Sequence, residues 1–209
     1  MNRITRESVA AALAHLRRVD PVMGRLIEQV GPFRLKVERN RFRALVRAIV
    51  AQQISTKAAR SIQKRVEALV APEPLSAEGL IRLSPEELRS AGLSPQKVKY
   101  ITDLAEKVHA GDVRLSRFAR LSDEEVIREL VQVKGIGVWT AQMFLIFSLG
   151  RMNVFAPDDL GLRTAIRNLY GLDELPNRAT SEAYAEPWRP YASVASWYCW
   201  RSFDIVPTE

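Results

Sequence analysis

Two stretches of this 209-residue sequence combine residue types and spacings that could support chemistry. In the first, residues 121–150, Gly135 and Gly137 flank Ile136 between two helical patterns, which predicts a helix-hairpin-helix with Ile136 plugging the space between its helices. The N–H groups that begin the second helix, together with the hydroxyl of Thr140, suit a phosphate oxygen. The structural alternative is a plain antiparallel helix pair joined by a glycine turn.

The second stretch contains two adjacent acids, Asp158 and Asp159, which follow Pro157 at the start of another predicted helix. Asp is a favoured residue at a helix N-terminus, so both acids could serve only the helix. The functional interpretation is that one Asp caps the helix while the other projects into a cleft, where the helix dipole keeps it ionised. A carboxylate held in this way stabilises cationic character that develops during a reaction.

Composition limits the classes of protein that these stretches could belong to. Apolar residues make up 47% and charged residues 26%, which excludes a disordered chain, and the formal charge of +7 favours a polyanionic partner. A single cysteine, Cys199, excludes an internal disulfide and a Cys-rich zinc or iron-sulfur site, and it favours a reducing compartment. No apolar run approaches the roughly 20 residues of a membrane span, and the N-terminal residues do not read as a signal peptide.

The elements that must position these residues are helices. Apolar residues recur at spacings of three and four, strand alternation is nearly absent, and Ser84, Ser94 and Ser122 offer N-caps. The sequence therefore predicts an all-α fold. Residues 1–40 and 151–209 are expected to form one discontinuous lobe that carries Asp159, around a middle lobe of residues 41–150 that ends in the hairpin.

Four motifs in fixed order carry a resemblance to a known family. IVAQQIS lies upstream, GIGVWTA and FAPDDLGLR follow, and WRPYASVASWYCWR comes last. The sequence resembles the helix-hairpin-helix DNA glycosylase superfamily, specifically its alkylated-base branch, 3-methyladenine DNA glycosylase II, over roughly residues 30–201. The resemblance implies a two-lobed helical fold with a cleft between the lobes.

The resemblance also assigns roles to individual residues. It implies that Asp159 is the catalytic carboxylate, which leaves Asp158 as the helix cap. The residues implied to contact the DNA backbone are Gly135, Gly137 and Thr140, those implied to line the base pocket are Trp139 and Trp197, and the wedge that fills the gap left by a flipped nucleotide is Gln53 or Ile54. Lys134 is either a phosphate partner or a solvated lysine, and Met143 stands where the family often has an aromatic, which predicts a softer pocket wall.

The implied activity is a monofunctional DNA glycosylase that flips alkylated purines such as 3-methyladenine out of duplex DNA and removes them by hydrolysis. Bifunctional relatives carry a Schiff-base lysine where this sequence has Trp139, so no AP lyase activity is expected. No cofactor and no side-chain metal site are expected, although such a hairpin could hold a structural metal ion through backbone carbonyls. Trp188, Trp200 and Cys199 are expected in the core.

Two alternatives stay open at this point. One is a noncatalytic helix-hairpin-helix module that binds damaged DNA, in which Asp158 and Asp159 merely cap a helix. The other is a glycosylase for a different lesion, such as uracil or a deaminated purine. In each case the expected partner is double-stranded DNA with no membrane involved, and the protein is expected to be a monomer of bacterial type, cytoplasmic and associated with the nucleoid.

Overall fold

The computed structural model describes residues 4–205, and within them the regular elements are helices. The helices of this part of the chain are twelve α-helices and two short 3₁₀ helices, Leu115–Arg117 and Glu186–Trp188. In order, the α-helices are α1 Arg6–Val19, α2 Pro21–Val30, α3 Arg41–Ala51, α4 Thr56–Leu69, α5 Ala77–Ile81, α6 Pro85–Ser90, α7 Pro95–Ala110, α8 Asp123–Leu130, α9 Val138–Phe147, α10 Leu160–Tyr170, α11 Arg178–Ala185 and α12 Ala192–Ser202. The all-α prediction is confirmed for these residues.

The described chain divides into two compact units. We call the unit that is central in sequence, Glu38–Phe144, the inner unit, and the unit made of the two flanking stretches, residues 4–37 and 145–205, the outer unit. The sequence predicts boundaries between the two units after residues 40 and 150. In the structure the boundaries fall after residues 37 and 144, and the second lies inside α9. The ends of the expected discontinuous lobe, residues 1–3 and 206–209, lie outside the described residues.

The inner unit is built from α3 to α8 and the first part of α9. Serine side chains begin three of these helices where the sequence predicted caps: Ser84, Ser94 and Ser122 each accept from the N–H three residues later. Capping satisfies a main-chain donor that the helix itself leaves unpaired. The apolar faces of α3 and α7 are fully buried at Val46, Ile49, Ile101 and Leu104, among others.

The outer unit is built around α12, whose residues Ala192–Ala195 are almost completely buried. Asp20 caps α2, and its Oδ2 accepts hydrogen bonds from the Tyr170 hydroxyl and, at 2.8 Å, from Trp188 Nε1. Burial and the hydrogen bond to Asp20 both raise the pKa of Tyr170. Because Tyr170 is the last residue of α10, this buried network fixes the end of that helix.

Candidate functional site

The helix-hairpin-helix that the sequence predicted is formed by α8, α9 and the hairpin turn, residues 131–137. Ile136 is only 4% exposed, so its side chain is buried at the turn, as a residue that fills the space between the helices must be. Gly135 has a φ of +80°, and a Cβ at this position would lie 2.1 Å from Cδ2 of Tyr100. Glycine is therefore required there by both backbone conformation and packing.

Gly137 differs from Gly135 in its surroundings. A Cβ at Gly137 would meet no heavy atom within 4 Å, so packing within the protein does not demand glycine. The residue is exposed and its carbonyl accepts from the Ala141 N–H at 3.0 Å, which begins α9. A small residue on open surface at a helix N-terminus lets an external anion approach the main chain closely.

The side chains that follow the turn divide into exposed and buried ones. Trp139 is 46% exposed and its neighbour Val138 is 49% exposed, while Met143 is partly buried. Thr140 is only 7% exposed, so little of it is accessible at the surface. An exposed tryptophan beside an exposed valine forms apolar surface of the kind that binding sites present.

Lys134 lies at the surface of the hairpin turn and is held by Asp103. Its ammonium is 3.3 Å from Asp103 Oδ1, and its main-chain N–H donates to Asp103 Oδ2 at 2.9 Å. Burial pushes the pKa of Asp103 up, but hydrogen bonds from Lys134 and Lys107 outweigh it and hold that pKa below its ordinary value. The ion pair fixes the turn to α7 and leaves the Lys134 side chain 71% exposed.

The wedge turn, residues 52–55, joins α3 to α4. Gln53 and Ile54 are exposed, and Gln53 is the non-glycine residue with positive φ, +57°, in the described part of the chain. Non-glycine residues rarely adopt this conformation, and it often marks a functional position. The residues predicted to form the wedge thus lie on an exposed turn with an unusual backbone conformation.

Two side chains that the sequence analysis had not singled out anchor this turn. Gln52 Nε2 donates to the main-chain oxygen of Gly135 at 2.7 Å, and Lys97 Nζ donates to the main-chain oxygen of Val50 at 2.7 Å. Burial lowers the pKa of Lys97. Within the inner unit, the hydrogen bond from Gln52 to Gly135 therefore joins the wedge turn directly to the hairpin turn. No local sequence pattern predicts this contact.

The acid pair in the outer unit is arranged differently from the prediction. Asp159, not Asp158, is the N-cap of α10: its Oδ1 accepts from the Leu162 N–H at 2.7 Å. The prediction that Asp158 caps the helix is wrong, because α10 begins at Leu160 and only the residue just before it has the geometry of a cap. Asp158 is exposed and pairs with Arg178 at 2.8 Å.

Asp159 also accepts a hydrogen bond from the outer unit's last helix. Trp200 Nε1 donates to Asp159 Oδ1 at 3.0 Å, and Asp159 is only 8% exposed. The expectation that Trp200 is a core residue is wrong, since it is half-buried and contacts the acid. The same expectation is confirmed for Trp188 and Cys199, which are fully buried.

Trp197 is half-buried on α12 and lies among other rings. It packs edge-to-face against Phe33, with centroids 4.8 Å apart, and the Arg201 guanidinium lies 5.9 Å from its ring centroid.

Burial raises the pKa of the Cys199 thiol. The thiol therefore stays protonated and does not act as a nucleophile.

Among residues 4–205, no group of three or more His, Cys, Asp or Glu side chains is arranged to hold a metal ion. A cation at the hairpin would have main-chain carbonyl oxygens as its ligands. Two of these, on Val133 and Gly135, already accept hydrogen bonds from the Ile136 N–H and the Gln52 amide, and each carbonyl retains a second lone pair. Among the same residues, no helix is both long and apolar enough to cross a bilayer.

The predicted residues therefore form two groups, each within one unit. The inner unit brings together the wedge turn and the hairpin turn with its exposed tryptophan, and the outer unit brings Asp159 together with Trp200 on α12. The first group can meet an anionic strand with main-chain and apolar surface, and the second supplies a buried carboxylate held by two donors.

Comparison with known proteins gives consistent results. The family model described as HhH-GPD superfamily base excision DNA repair protein matches residues 46–190 of this chain. DNA-3-methyladenine glycosylase 1 of Schizosaccharomyces pombe is 34% identical over 204 residues, which cover 95% of this chain and 90% of that protein.

Solved structures agree with the sequence comparison. The S. pombe 3-methyladenine DNA glycosylase in complex with abasic DNA superposes with a TM-score of 0.86 at 31% identity, covering 95% of this chain and 99% of that one. A DNA-3-methyladenine glycosidase from Bacillus halodurans gives a TM-score of 0.83 at 36% identity, covering 97% and 92%. The matched stretch contains the wedge turn, the hairpin turn and the acid pair, and the chain belongs to the HhH-GPD superfamily of base excision DNA repair proteins, in its alkylated-base branch.

Proposed function

We propose that this protein is a monofunctional DNA glycosylase that flips alkylated purines such as 3-methyladenine out of duplex DNA and releases them by hydrolysis. The relatives named above as 3-methyladenine glycosylases support this substrate class. The observation that carries the mechanism is the setting of Asp159, a nearly buried carboxylate whose Oδ1 accepts two hydrogen bonds, at 2.7 and 3.0 Å.

The chemistry requires such a group. An N3-methylated adenine in DNA carries a positive charge, and it leaves as a neutral base when the glycosidic bond breaks and takes its electron pair with it. Positive charge then develops on the sugar, in an oxocarbenium-like transition state, and the Asp159 carboxylate stabilises that charge. Water adds to C1′ and loses a proton, which leaves an abasic site and the free base.

Recognition of the base is assigned to aromatic and soft side chains. The faces of Trp139 and Trp197 favour a cationic base through cation–π contact, worth about 0.5 to 2 kcal/mol each. Met143 is a flexible neighbour on the same helix as Trp139, so we expect this wall to accept alkylated purines of different shape.

Binding of the duplex is assigned to the two turns of the inner unit. The main-chain N–H groups at Gly135, Gly137 and Thr140, with the Lys134 ammonium, contact the phosphates of one strand and position the protein without reading sequence. Gln53 or Ile54, which are exposed on the wedge turn, fill the gap that the flipped nucleotide leaves in the stack.

We also propose that the protein does not cleave the strand. AP lyase activity needs an amine that forms a Schiff base with the sugar, and the position after the hairpin where bifunctional relatives carry that lysine holds Trp139. Borohydride should therefore trap no covalent protein–DNA complex, and the abasic product should remain intact until it is treated with alkali. A trapped complex would contradict this part of the proposal.

The central experiment compares Asp159→Asn with Asp158→Asn on duplex DNA that contains methylated adenine. Asparagine at position 159 keeps an oxygen that can accept from Leu162 and Trp200 but removes the charge, so the variant should fold and should release base at least about 100-fold more slowly. Asp158→Asn removes the adjacent exposed carboxylate and should keep the wild-type rate. Equal release by Asp159→Asn and wild type would remove the assigned mechanism.

A panel of lesions separates the proposal from its alternatives. Release of alkylated purines supports it, whereas release confined to uracil or deaminated purines would assign the same scaffold to another lesion. Tight binding to damaged DNA with no base released from any lesion would identify a noncatalytic module.

We propose finally that base release needs no dissociable cofactor and that the protein works as a monomer on DNA in the cytoplasm. Hydrolysis by this route uses only water and a carboxylate, so dialysis against a chelator should leave the rate of release unchanged. A cation held by the hairpin carbonyls would instead show itself as weaker DNA binding after chelation. Sedimentation of the protein with and without DNA checks the oligomeric state.

A further inference from the structure

Trp200 is placed to act on the proposed catalytic acid. It lies on α12, and its indole Nε1 donates to Asp159 Oδ1 at 3.0 Å, while the Leu162 N–H donates to the same oxygen at 2.7 Å. The two donors come from different helices, since Leu162 belongs to α10, which Asp159 itself caps. One carboxylate oxygen thus receives bonds from both elements.

Gly161 makes this close approach possible. A Cβ at Gly161 would lie 3.1 Å from Asp159 Oδ1 and 3.2 Å from Trp200 Cδ1, closer than side chains normally approach. The ring of Phe147 packs against the Trp200 indole, with ring centroids 5.6 Å apart. We call Asp159, Gly161 and Trp200 the acid cradle.

A cap bond alone does not fix a carboxylate, because the group can still rotate about its Cβ–Cγ bond. A second donor on the same oxygen, from a rigid ring on a different helix, removes that freedom. Catalytic groups must be held within about 0.5 Å of their productive position, and hydrogen bonds to charged acceptors are among the stronger ones available.

We infer that Trp200 is a positioning residue for Asp159: its indole N–H orients the carboxylate toward the sugar whose base departs. This inference rests on the proposed glycosylase function. It assigns to Trp200 a role in the rate of base release and none in holding the DNA.

The test pairs two variants that make the same chemical change in the same unit. Trp200→Phe removes the N–H bonded to Asp159, and Trp188→Phe removes the N–H that donates to Asp20 at 2.8 Å. We expect Trp200→Phe to lower the single-turnover rate of 3-methyladenine release about tenfold while the Kd for a duplex with an abasic analogue changes less than about twofold. Trp188→Phe should lower the melting temperature but keep the rate per folded molecule.

Gly161→Ala tests the cradle from the other side and does not depend on the folding of Trp200→Phe. Alanine is the better helix former by up to about 1 kcal/mol, so a loss of activity with retained stability would come from crowding of Asp159 and Trp200. We expect its rate to fall about tenfold with unchanged Kd.

The outcomes are distinguishable. An active wild type with wild-type rates in both Trp200→Phe and Gly161→Ala overturns the positioning role and leaves the glycosylase proposal intact. Equal rate losses in Trp200→Phe and Trp188→Phe also overturn it, because the effect would then be one of structure. A wild type that releases no base overturns the proposed function and this inference together.

Discussion

The side-chain amide of Gln52 donates a hydrogen bond to the main-chain oxygen of Gly135 at 2.7 Å. The two residues are 83 positions apart in sequence, and each belongs to a turn assigned to DNA binding. The bond therefore sets the distance between the wedge turn and the hairpin turn, which must contact the same duplex at the same time if the protein is to flip a base.

Gln52→Glu should uncouple the two turns. The change keeps the shape of the side chain but replaces the donor with a charged acceptor that faces the Gly135 carbonyl, which costs about 1–3 kcal/mol. We expect weaker binding to a duplex with an abasic analogue and a lower free energy of unfolding, measured by titration and by urea. Gln132→Glu is the matched control, because it adds the same charge to the hairpin turn itself and affects only a long 3.4 Å contact to the main-chain oxygen of Arg128. Identical behaviour of both variants would show that charge alone is responsible.

Substitution of the two hairpin glycines by alanine should have different effects, one on stability and the other on DNA binding. Gly135→Ala places a Cβ inside the Tyr100 ring at a φ of +80°, so it should destabilise the fold by about 2 kcal/mol or more in urea unfolding. Gly137→Ala meets no neighbour in the protein and should keep wild-type stability while it weakens binding to all duplexes to a similar extent. Wild-type affinity in Gly137→Ala would argue against main-chain contact with phosphate at this residue.

Salt dependence decides between the two interpretations of Lys134. DNA affinity should fall as salt rises, with a log–log slope set by the number of phosphates neutralised. Lys134→Gln should reduce that slope by about 1 if the ammonium contacts a phosphate. An unchanged slope would mean that Lys134 only pairs with Asp103 at the surface.

Trp139 should discriminate between cationic and neutral bases. Since it is 46% exposed, Trp139→Leu should leave the free energy of unfolding almost unchanged. Release of positively charged 3-methyladenine should slow more than release of neutral hypoxanthine, by a factor of about 2 to 30 for a lost cation–π contact. Equal slowing of both substrates would assign Trp139 to shape or stacking alone.

The charge of Asp103 should make the stability of the inner unit depend on pH. Its depressed pKa means that the ionised carboxylate stabilises the fold above about pH 4, its ordinary pKa, and that this contribution is lost as pH falls through the lower pKa of the folded state. Asp103→Asn should be less stable than wild type at pH 7 by about 1–3 kcal/mol, and the difference should shrink toward pH 3. Urea unfolding at several pH values measures this, with exposed Asp112→Asn as control, and a constant difference would contradict it.

Local patterns were enough to predict the helices and the hairpin. α6 and α8 each follow a serine that has a glutamate three residues later. This pattern can be recognised in the sequence because capping involves only neighbouring residues. The turn at Gly135 is likewise predictable from neighbouring residues, because two glycines lie between two helical patterns. The assignment of the cap to Asp158 failed because it depended on a helix boundary, and a shift of one residue exchanged the roles of the two acids.

Contacts between distant segments left no such pattern. Trp200 was assigned to the core because an aromatic at helical spacing usually packs there, and nothing near it in sequence indicates that it donates to Asp159, 41 residues earlier. The contact of Gln52 with Gly135 leaves no local sequence pattern for the same reason. Both contacts depend on the packing of separate helices, which composition and periodicity do not determine.

Asp159 both caps α10 and carries the assigned chemistry, which limits the substitutions that this fold can accept during evolution. Replacing it with a residue that cannot accept from a main-chain amide removes the cap of α10 and the assigned chemistry in one step, so most losses of activity at this position also weaken the protein. A descendant that kept the fold only as a clamp on damaged DNA is therefore expected to carry Asn, Ser or Thr there, and that single position would distinguish retired enzymes from working ones.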